Sequence, residues 1–285
     1  MCAPSGLTGL IPNAAPARVL LPNGDAEVSV SIANDQIFGN VYVNGEGPYV
    51  FILDTGASQV SVSPRVAALF PGSISGTTTV TTDPTLDGTN APLIHIDRLS
   101  FGSISFEDFV AFVFDVDPTF TSTEITFTVD GVIALPLFQQ VALTLNYPES
   151  KVRVQTGVLP EVDGCSVLPL YRSSTGLVEV PATINSRSQN LLIDSGSTTM
   201  LNVPASFSDL PFIEPPRMDR IITITGTVDV LVGCVPSGTA SLGCVQFADP
   251  CLVVGGELAL IGGEAMLPYV VTIDQTSGRI RFQQP

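Results

Sequence analysis

The sequence predicts an all-β fold built from two similar halves. Short alternating apolar runs recur along the chain, turn signals separate them, and long segments of the first half match segments of the second. The alternating runs are Val41–Val43, Val50–Leu53, Leu99–Phe106, Val110–Phe114, Leu143–Leu145, Val152–Val154, Ile221–Ile224, Leu231–Val232, Val270–Ile273 and Ile280–Phe282. The turn signals are Asn44-Gly45, Asp87-Gly88, Asp130-Gly131, Pro148-Glu149 and Ser277-Gly278.

Helices are expected to be few and short. Pro64–Leu69 and Pro204–Leu210 each follow an Asp-x-Gly motif and can form brief helices, and Pro136–Gln140 can form a single turn. With so little helix, the strands have to pack mainly against one another, which is the pattern of an all-β protein.

The two halves match in three places, in the same order along the chain. The matching pairs are Asp54-Thr55-Gly56 with Asp194-Ser195-Gly196, residues 102–108 with 243–249, and residues 132–154 with 260–282. The first pair is separated by 140 positions and the third by 128, so the first half contains an insertion. We expect it in the Thr-rich stretch 115–129, as a surface loop.

These matches suggest how the chain is divided. Residues 1–33 are expected to form an N-terminal tail and a strand that leads into the first lobe. The first lobe covers residues 34–157 and the second covers residues 170–285. The Pro- and Gly-containing segment 158–169 is expected to link them.

The amino-acid composition limits the classes of partner that the protein is expected to bind. The 285 residues include 11 basic and 27 acidic side chains, a net charge of −16. Binding to nucleic acid or anionic lipid needs the opposite sign, so neither is expected. No apolar run reaches the roughly 18 residues of a transmembrane helix. The single histidine, His95, lies in an alternating stretch and is expected to be an exposed strand residue. We predict no metal and no cofactor.

Five cysteines, at positions 2, 165, 234, 244 and 251, include no Cys-x-x-Cys pair. The four in the second half can form two disulfides in three possible connectivities. Cys2, followed by Ala-Pro-Ser-Gly, resembles the start of a mature bacterial lipoprotein; the alternative is an incidental cysteine in a tail. Both interpretations favour an extracytoplasmic protein, whether periplasmic, a cell-surface lipoprotein or secreted.

Each half presents an apolar strand that ends in an aspartate. Val50–Leu53 leads into Asp54, and Leu191–Ile193 leads into Asp194. A carboxylate at the end of a buried strand needs hydrogen bonds or a partner. The residues expected to support the two aspartates, through hydroxyl donors or through small size, are Thr55, Gly56, Ser58, Ser195, Gly196 and Thr198.

Two such loops related by a pseudo-twofold axis would bring Asp54 and Asp194 together. Neighbouring carboxylates do not both ionise easily, so the pair shares one proton and titrates as a unit. The ionised member can take a proton from water while the protonated member donates to a scissile carbonyl oxygen. The apolar elements 132–134 and 260–262 would shield the loops from behind. This pattern predicts peptide hydrolysis by direct attack of water.

On these motifs the chain resembles the aspartic proteases of the pepsin and retropepsin kind. Residues 34–58, NDQIFGNVYVNGEGPYVFILDTGAS, are similar to the bacterial retropepsin-like aspartyl proteases, and the second motif has the Asp-Ser-Gly form found in two-lobed, pepsin-like members. The resemblance implies a bilobal pepsin-like fold with two pseudo-twofold-related β lobes, a cleft between them and a six-stranded interlobe sheet. It also implies endopeptidase activity at acidic pH and inhibition by statine-type peptides.

Matched residue by residue, the resemblance makes Asp54 and Asp194 the catalytic aspartates. It makes Thr55 and Ser195 the residues whose hydroxyls cross-brace the two loops. Gly56 and Gly196 match the glycines of the motif.

The sequence departs from the family pattern in two places near the motifs. Ala57 stands where many pepsins carry serine, which removes one hydrogen bond to the first aspartate. Ala134 replaces the glycine that is usual in the first shielding element.

The hairpin that covers the substrate in this family corresponds to residues 79–93. Its candidate tip residues are Thr82, Asp83, Pro84 and Gly88. The segment holds no aromatic residue, whereas pepsins place a tyrosine there, so we expect weaker exclusion of water. A second hairpin is expected at Ile221–Val232, with Gly226 as a turn or bulge.

The leading prediction is a monomeric aspartic endopeptidase that cleaves extended polypeptides. A first alternative is a pepsin-like binding or inhibitor protein with weak or no hydrolysis, which the absence of a flap aromatic favours. A second alternative is a β adhesin with accidental Asp-x-Gly turns. That alternative predicts carboxylates more than about 6 Å apart, beyond direct hydrogen-bond contact.

Overall fold

The computed structural model describes residues 15–80, 89–114, 128–173, 176–223, 226–256 and 258–285. The strands up to residue 155 are β1 (Arg18–Leu20), β2 (Asp25–Ser29), β3 (Ser31–Ala33), β4 (Gln36–Val43), β5 (Glu46–Asp54), β6 (Ser61–Val62), β7 (Ile74–Val80), β8 (Thr89–Phe101), β9 (Ile104–Val113), β10 (Gly131–Ala134), β11 (Ala142–Asn146) and β12 (Lys151–Gln155). The strands that follow are β13 (Val167–Pro169), β14 (Tyr171–Arg172), β15 (Val178–Ile184), β16 (Arg187–Asp194), β17 (Leu201–Val203), β18 (Arg217–Thr223), β19 (Gly226–Cys234), β20 (Ala240–Leu242), β21 (Val245–Gln246), β22 (Cys251–Val254), β23 (Leu260–Gly262), β24 (Val270–Asp274) and β25 (Arg279–Gln283). The predicted all-β fold is confirmed.

The helical segments are as short as expected. The α-helices are α1 (Pro64–Ala67) and α2 (Gly263–Met266), and the 3₁₀ turns are Pro22–Gly24, Pro71–Ser73, Leu135–Phe138 and Ala205–Phe207. Helix α1 begins after Ser63, whose hydroxyl accepts a hydrogen bond from the amide of Val66. The segment Pro204–Leu210 forms only a 3₁₀ turn.

The described strands form three sheets. The first follows the order β1-β9-β6-β10-β5-β4-β8-β7, with β3 on β4 and a further pairing of β8 with β9. The second follows the order β13-β25-β24-β11-β12-β2. The third follows the order β18-β19-β22-β17-β23-β16-β15-β20-β21, with β14 on β15. The first sheet is therefore made from the first half of the chain and the third sheet from the second half.

The six-stranded sheet joins the two halves symmetrically. Its central pair, β11 and β24, runs antiparallel with Thr144 opposite Thr272. These threonines are equivalent in the 128-residue repeat, and their hydroxyls lie 3.0 Å apart. A pseudo-twofold axis therefore passes between them. Strand β13 takes the place in one half that β2 takes in the other, so the segment expected to be a linker ends in a strand.

The core differs between the halves. The largest fully buried side chains include six phenylalanines of the first half, Phe51, Phe101, Phe106, Phe109, Phe112 and Phe138. Each such side chain contributes about 1.5–3 kcal/mol on burial. The alternating run Leu99–Phe106 is not one strand as predicted, because the chain reverses at Gly102, which has a φ of +58°.

The second half contains two disulfides, and the structure selects one of the three possible connectivities. Cys165 is bonded to Cys244 and Cys234 to Cys251. The first bond ties the segment between the halves to the turn before β21. Cys2 and most of the predicted insertion at 115–129 lie outside the described residues.

Candidate active site

Two equivalent strands deliver Asp54 and Asp194. Asp54 is the last residue of β5, and β10 runs parallel beside it with Ala134 opposite the aspartate. In the second half, β23 runs parallel to β16 with Gly262 opposite Asp194. The two apolar elements predicted to pass behind the aspartates are therefore β10 and β23, paired in the same register.

The loops after the two aspartates are locked together by four reciprocal hydrogen bonds. The amide of Thr55 donates to Oγ of Ser195 and the amide of Ser195 donates to Oγ1 of Thr55, both at 3.0 Å. The Thr55 hydroxyl donates to the carbonyl of Ile193 at 2.7 Å, and the Ser195 hydroxyl donates to that of Leu53 at 2.8 Å. Both residues are fully buried. This is the cross-brace that the resemblance implied.

The motif glycines are needed for the space that they leave. Neither has a positive φ, so the loop does not need glycine for its backbone conformation. A Cβ at Gly56 would lie 2.5 Å from Cγ of Asp194, and a Cβ at Gly196 would crowd Asp54 equally. Each glycine thus leaves room for the carboxyl group of the other half.

The carboxyl groups of Asp54 and Asp194 are hydrogen-bonded to each other and almost without solvent contact, at 3% and 1% exposure. Burial raises the pKa of Asp54 well above its ordinary value, and the neighbouring Asp194 raises it further. Burial also raises the pKa of Asp194, to about 6. The adhesin alternative, which required separated carboxylates, disagrees with this contact.

Backbone amides hold the two carboxylates in place. Gly56 N donates to Oδ1 of Asp54 at 2.8 Å, and Gly196 N and Ser197 N donate to Oδ1 of Asp194 at 3.0 and 3.1 Å. The prediction that the hydroxyls of Thr55 and Ser195 serve the carboxylates is wrong, because those hydroxyls donate to the carbonyls of the opposite strand.

Ser58 and Thr198 were the other predicted hydroxyl donors. Both are half-buried within the loops. Their support of the aspartates remains a prediction.

Two residues near the aspartates were missed by the sequence analysis. Gln36 is buried and its Nε2 donates to the carbonyl of Gly196 in the other half. Tyr147 is buried at the end of β11, and its pKa is raised by burial and by Asp194, Asp35 and Asp54. The available sequence signal for Gln36 was its position as a polar residue directly before the apolar run of β4. That signal does not identify its partner, Gly196, which lies 160 positions away.

Two hairpins end the first and third sheets. Strands β7 and β8 form one, and its candidate tip residues Thr82, Asp83, Pro84 and Gly88 lie outside the described residues. Strands β18 and β19 form the predicted second hairpin, in which Gly226 pairs with Thr223. Gly226 therefore begins a strand beside the turn.

Other predicted features can be checked in the residues that the structure describes. His95 is a half-exposed residue of β8, 3.3 Å from Asp97 and 3.6 Å from Asp108. Among all the residues that the structure describes, no group of three His, Cys, Asp or Glu side chains is arranged to hold a metal. Across the same described ranges, no helix has the length and apolar character needed to span a membrane.

Comparison with known proteins supports the broad family. The model of the aspartyl protease family matches residues 39–136, which include the Asp54 loop and β10. Asp194 lies outside the matched range. No curated protein matches the chain.

Proposed function

We propose that the protein is an aspartic endopeptidase in which Asp54 and Asp194 act as one acid–base pair. The observation that carries the proposal is the reciprocal placement of the loops, in which the carboxyl group of each half lies against the glycine of the other. One ionised and one protonated carboxyl group around a common water can hydrolyse a peptide without a covalent intermediate, and a coupled buried pair supplies both.

The chemistry follows from the shared proton. The ionised carboxylate takes a proton from water as the water oxygen attacks the scissile carbonyl carbon. The protonated carboxyl donates its proton to the carbonyl oxygen, which gives a tetrahedral diol. The newly protonated carboxyl then donates its proton to the amide nitrogen and the C–N bond breaks. A hydroxyl of the diol gives its proton to the ionised carboxylate as the product acid forms, so the pair returns to its single-proton state.

The raised pKa values set the pH range. Because one carboxyl must be ionised, activity is expected to rise as the pH increases through the lower pKa of the pair. Since burial places the pKa of Asp194 near 6, we expect activity in mildly acidic to neutral solution rather than in strong acid. Activity is lost when both groups ionise.

Extended polypeptide is the proposed substrate. Strands β7 and β18 end their sheets in the described part of the chain, and an edge strand can pair with an extended peptide through its free backbone groups. The two disulfides indicate an oxidising, extracytoplasmic setting. We further propose that the active form is a monomer, because one chain supplies both aspartates, and that residues 34–157 and 170–285 form its two lobes.

The test compares cleavage of a denatured polypeptide by the wild type, Asp54→Asn and Asp194→Asn between pH 3 and 8. Each variant is expected to lose at least about 100-fold in kcat/KM, and the double variant little more, because the two groups act as a unit. Asp97→Asn, which removes a 74% exposed carboxylate, is the matched control. Equal cleavage by all variants would end the proposal. Tight binding of a statine-type peptide without cleavage would support the binding-protein alternative.

A further inference from the structure

A side chain of the first half reaches the aspartate loop of the second half. Gln36, the first residue of β4, is 1% exposed and donates from Nε2 to the carbonyl oxygen of Gly196. The N–H of that same peptide group belongs to Ser197 and donates to Oδ1 of Asp194 at 3.1 Å. One continuous chain of hydrogen bonds therefore runs from Gln36 through a single peptide group to Asp194.

These linked hydrogen bonds favour the ionised form of Asp194. A donor on a carbonyl oxygen polarises the peptide, so its N–H becomes a better donor. A stronger hydrogen bond to the carboxylate stabilises the charged form more than the neutral form. The bond also fixes the position of the peptide against the aspartate.

The loop of the first half has no such support from the equivalent position. Ile37 pairs with Leu53, which places Gln36 opposite Asp54. Glu179 pairs with Leu192, and extending that register by two residues places Leu177 opposite Asp194. Leu177 is buried among Leu192 and Leu260 and has no side-chain donor. The symmetry of the strands is therefore broken at this pair of positions.

We infer that Gln36 is a positioning residue that acts through the Gly196–Ser197 peptide to make Asp194 the ionised member of the pair. Asp54 then carries the shared proton. The inference rests on the proposed function: Asp194 takes the proton from water and Asp54 donates to the substrate carbonyl.

Other titratable groups lie near the pair. Burial and the charges of Asp194, Asp35 and Asp54 raise the pKa of Tyr147, and burial and Asp35 raise the pKa of Glu264. The hydroxyl of Tyr147 and Oε1 of Gln36 are buried and have no partner among the described residues. Keeping a buried amide with one unpartnered atom is unfavourable, so the bond from Nε2 to Gly196 is the interaction that accounts for a glutamine here.

The experiment compares Gln36→Met, which keeps chain length but removes the donor, with Leu177→Met, the matched control at the equivalent position. Gln36→Asn, which shortens the reach of the amide, is a second test variant. For both Gln36 variants we expect kcat/KM to fall about two- to five-fold on the acidic side of the pH profile with little change at the plateau. The acidic limb should move to higher pH, because Asp194 becomes harder to ionise. Leu177→Met should leave the limb unchanged.

Carbon-13 NMR titration of aspartate carboxyl groups in the full chain provides a readout that needs no turnover. The signal lost in Asp194→Asn identifies Asp194, and its pKa should rise in both Gln36 variants. An equal loss of kcat/KM at every pH, or an unchanged Asp194 titration, would overturn the inference. If no polypeptide is cleaved by the wild type, the proposed function fails, and the NMR titration alone decides whether Gln36 controls the ionisation of Asp194.

Discussion

The two halves place their aspartates with the same backbone but surround them differently. Both aspartates end a strand, both lie beside a parallel strand, and both loops share one reciprocal cross-brace. Three pairs of equivalent positions illustrate how the surroundings differ. The pairs are Gln36 and Leu177, Ala57 and Ser197, and Ala134 and Gly262.

The comparison shows that different residues determine where the two carboxyl groups lie and what chemical role each one has. The symmetric parts, which are backbone and hydroxyl groups, fix where the carboxyl groups lie. The asymmetric parts touch the peptides and the space around each carboxylate, and they can give the two groups different roles. A symmetric scaffold would otherwise leave two identical acids to share a proton equally.

The glycine difference has a steric cause. A Cβ at Gly262 would collide with the carbonyl oxygen of Thr199. In the first half the loop between the aspartate and the next strand is one residue shorter, because Val132 pairs with Ser61 whereas Leu260 pairs with Asn202. Ala134 is therefore accommodated, and the departure from the family pattern reflects loop length.

The largest expected effect is a loss of stability when a disulfide is removed, because each disulfide closes a loop of the chain. Replacing Cys165 and Cys244 by serine releases a loop with a sequence separation of 79 and should cost about 4–5 kcal/mol. Replacing Cys234 and Cys251 releases a separation of 17 and should cost about 3 kcal/mol. Urea unfolding of the two variants gives the order, and a reversed order would contradict the loop-length argument.

The next largest effect is a loss of activity, caused by substitutions that disturb the contact between the two aspartate loops. Gly56→Ala or Gly196→Ala should lower kcat/KM by at least about 100-fold, because the new methyl group displaces the opposite carboxylate by ångströms in a site that depends on its position. Gly72→Ala is the control, since a Cβ there meets no atom within 4 Å. Retention of wild-type rates by both site variants would mean that the two carboxylates do not work together.

A third prediction uses pH. The folded-state pKa values of both aspartates are raised, so their contribution to stability is full below the unfolded pKa near 3.8 and is lost as the pH rises through the folded values, about 6 for Asp194. Asp194→Asn should therefore be more stable than the wild type at pH 7, by on the order of 1–3 kcal/mol, with the difference vanishing near pH 4. Unfolding free energies at both pH values check this. A difference that does not change with pH would show that the carboxylates carry no unfavourable burial.

The smallest effect is expected from making the loops more alike. Ala57→Ser introduces the serine that occupies the equivalent position in the second loop. There Ser197 Oγ bonds the Thr199 hydroxyl at 2.9 Å. We therefore expect Ala57→Ser to change kcat/KM by less than about three-fold across the pH profile. A large displacement of the acidic limb would indicate that the new hydroxyl bonds Asp54.

The sequence was sufficient for the features that repeat. The Asp-x-Gly motifs and the apolar elements that follow them predicted two equivalent loops with an apolar element behind each, because strand period and spacing are local properties. The contact of Gln36 with Gly196 and the disulfide connectivity were not accessible. The first joins the two halves and the second joins cysteines within the second half and the segment before it; in both cases the partners meet only in the tertiary fold, and no local pattern records their distance.

The local chemistry of the motifs was also only partly predictable. A hydroxyl next to an aspartate suggested a donor to the carboxylate. The structure instead uses Thr55 and Ser195 to join the two halves, and uses backbone amides for the carboxylates. Residue type indicated hydrogen-bonding capacity, but the partner was decided by the tertiary arrangement.

A crystal structure with a statine-type peptide tests the central claim most directly. If Asp54 and Asp194 form one acid–base pair, the hydroxyl of the inhibitor will lie within hydrogen-bond distance of a carboxyl oxygen of each aspartate, with the peptide extended between the two hairpins. An inhibitor bound elsewhere, or touching only one of the two aspartates, would contradict the account.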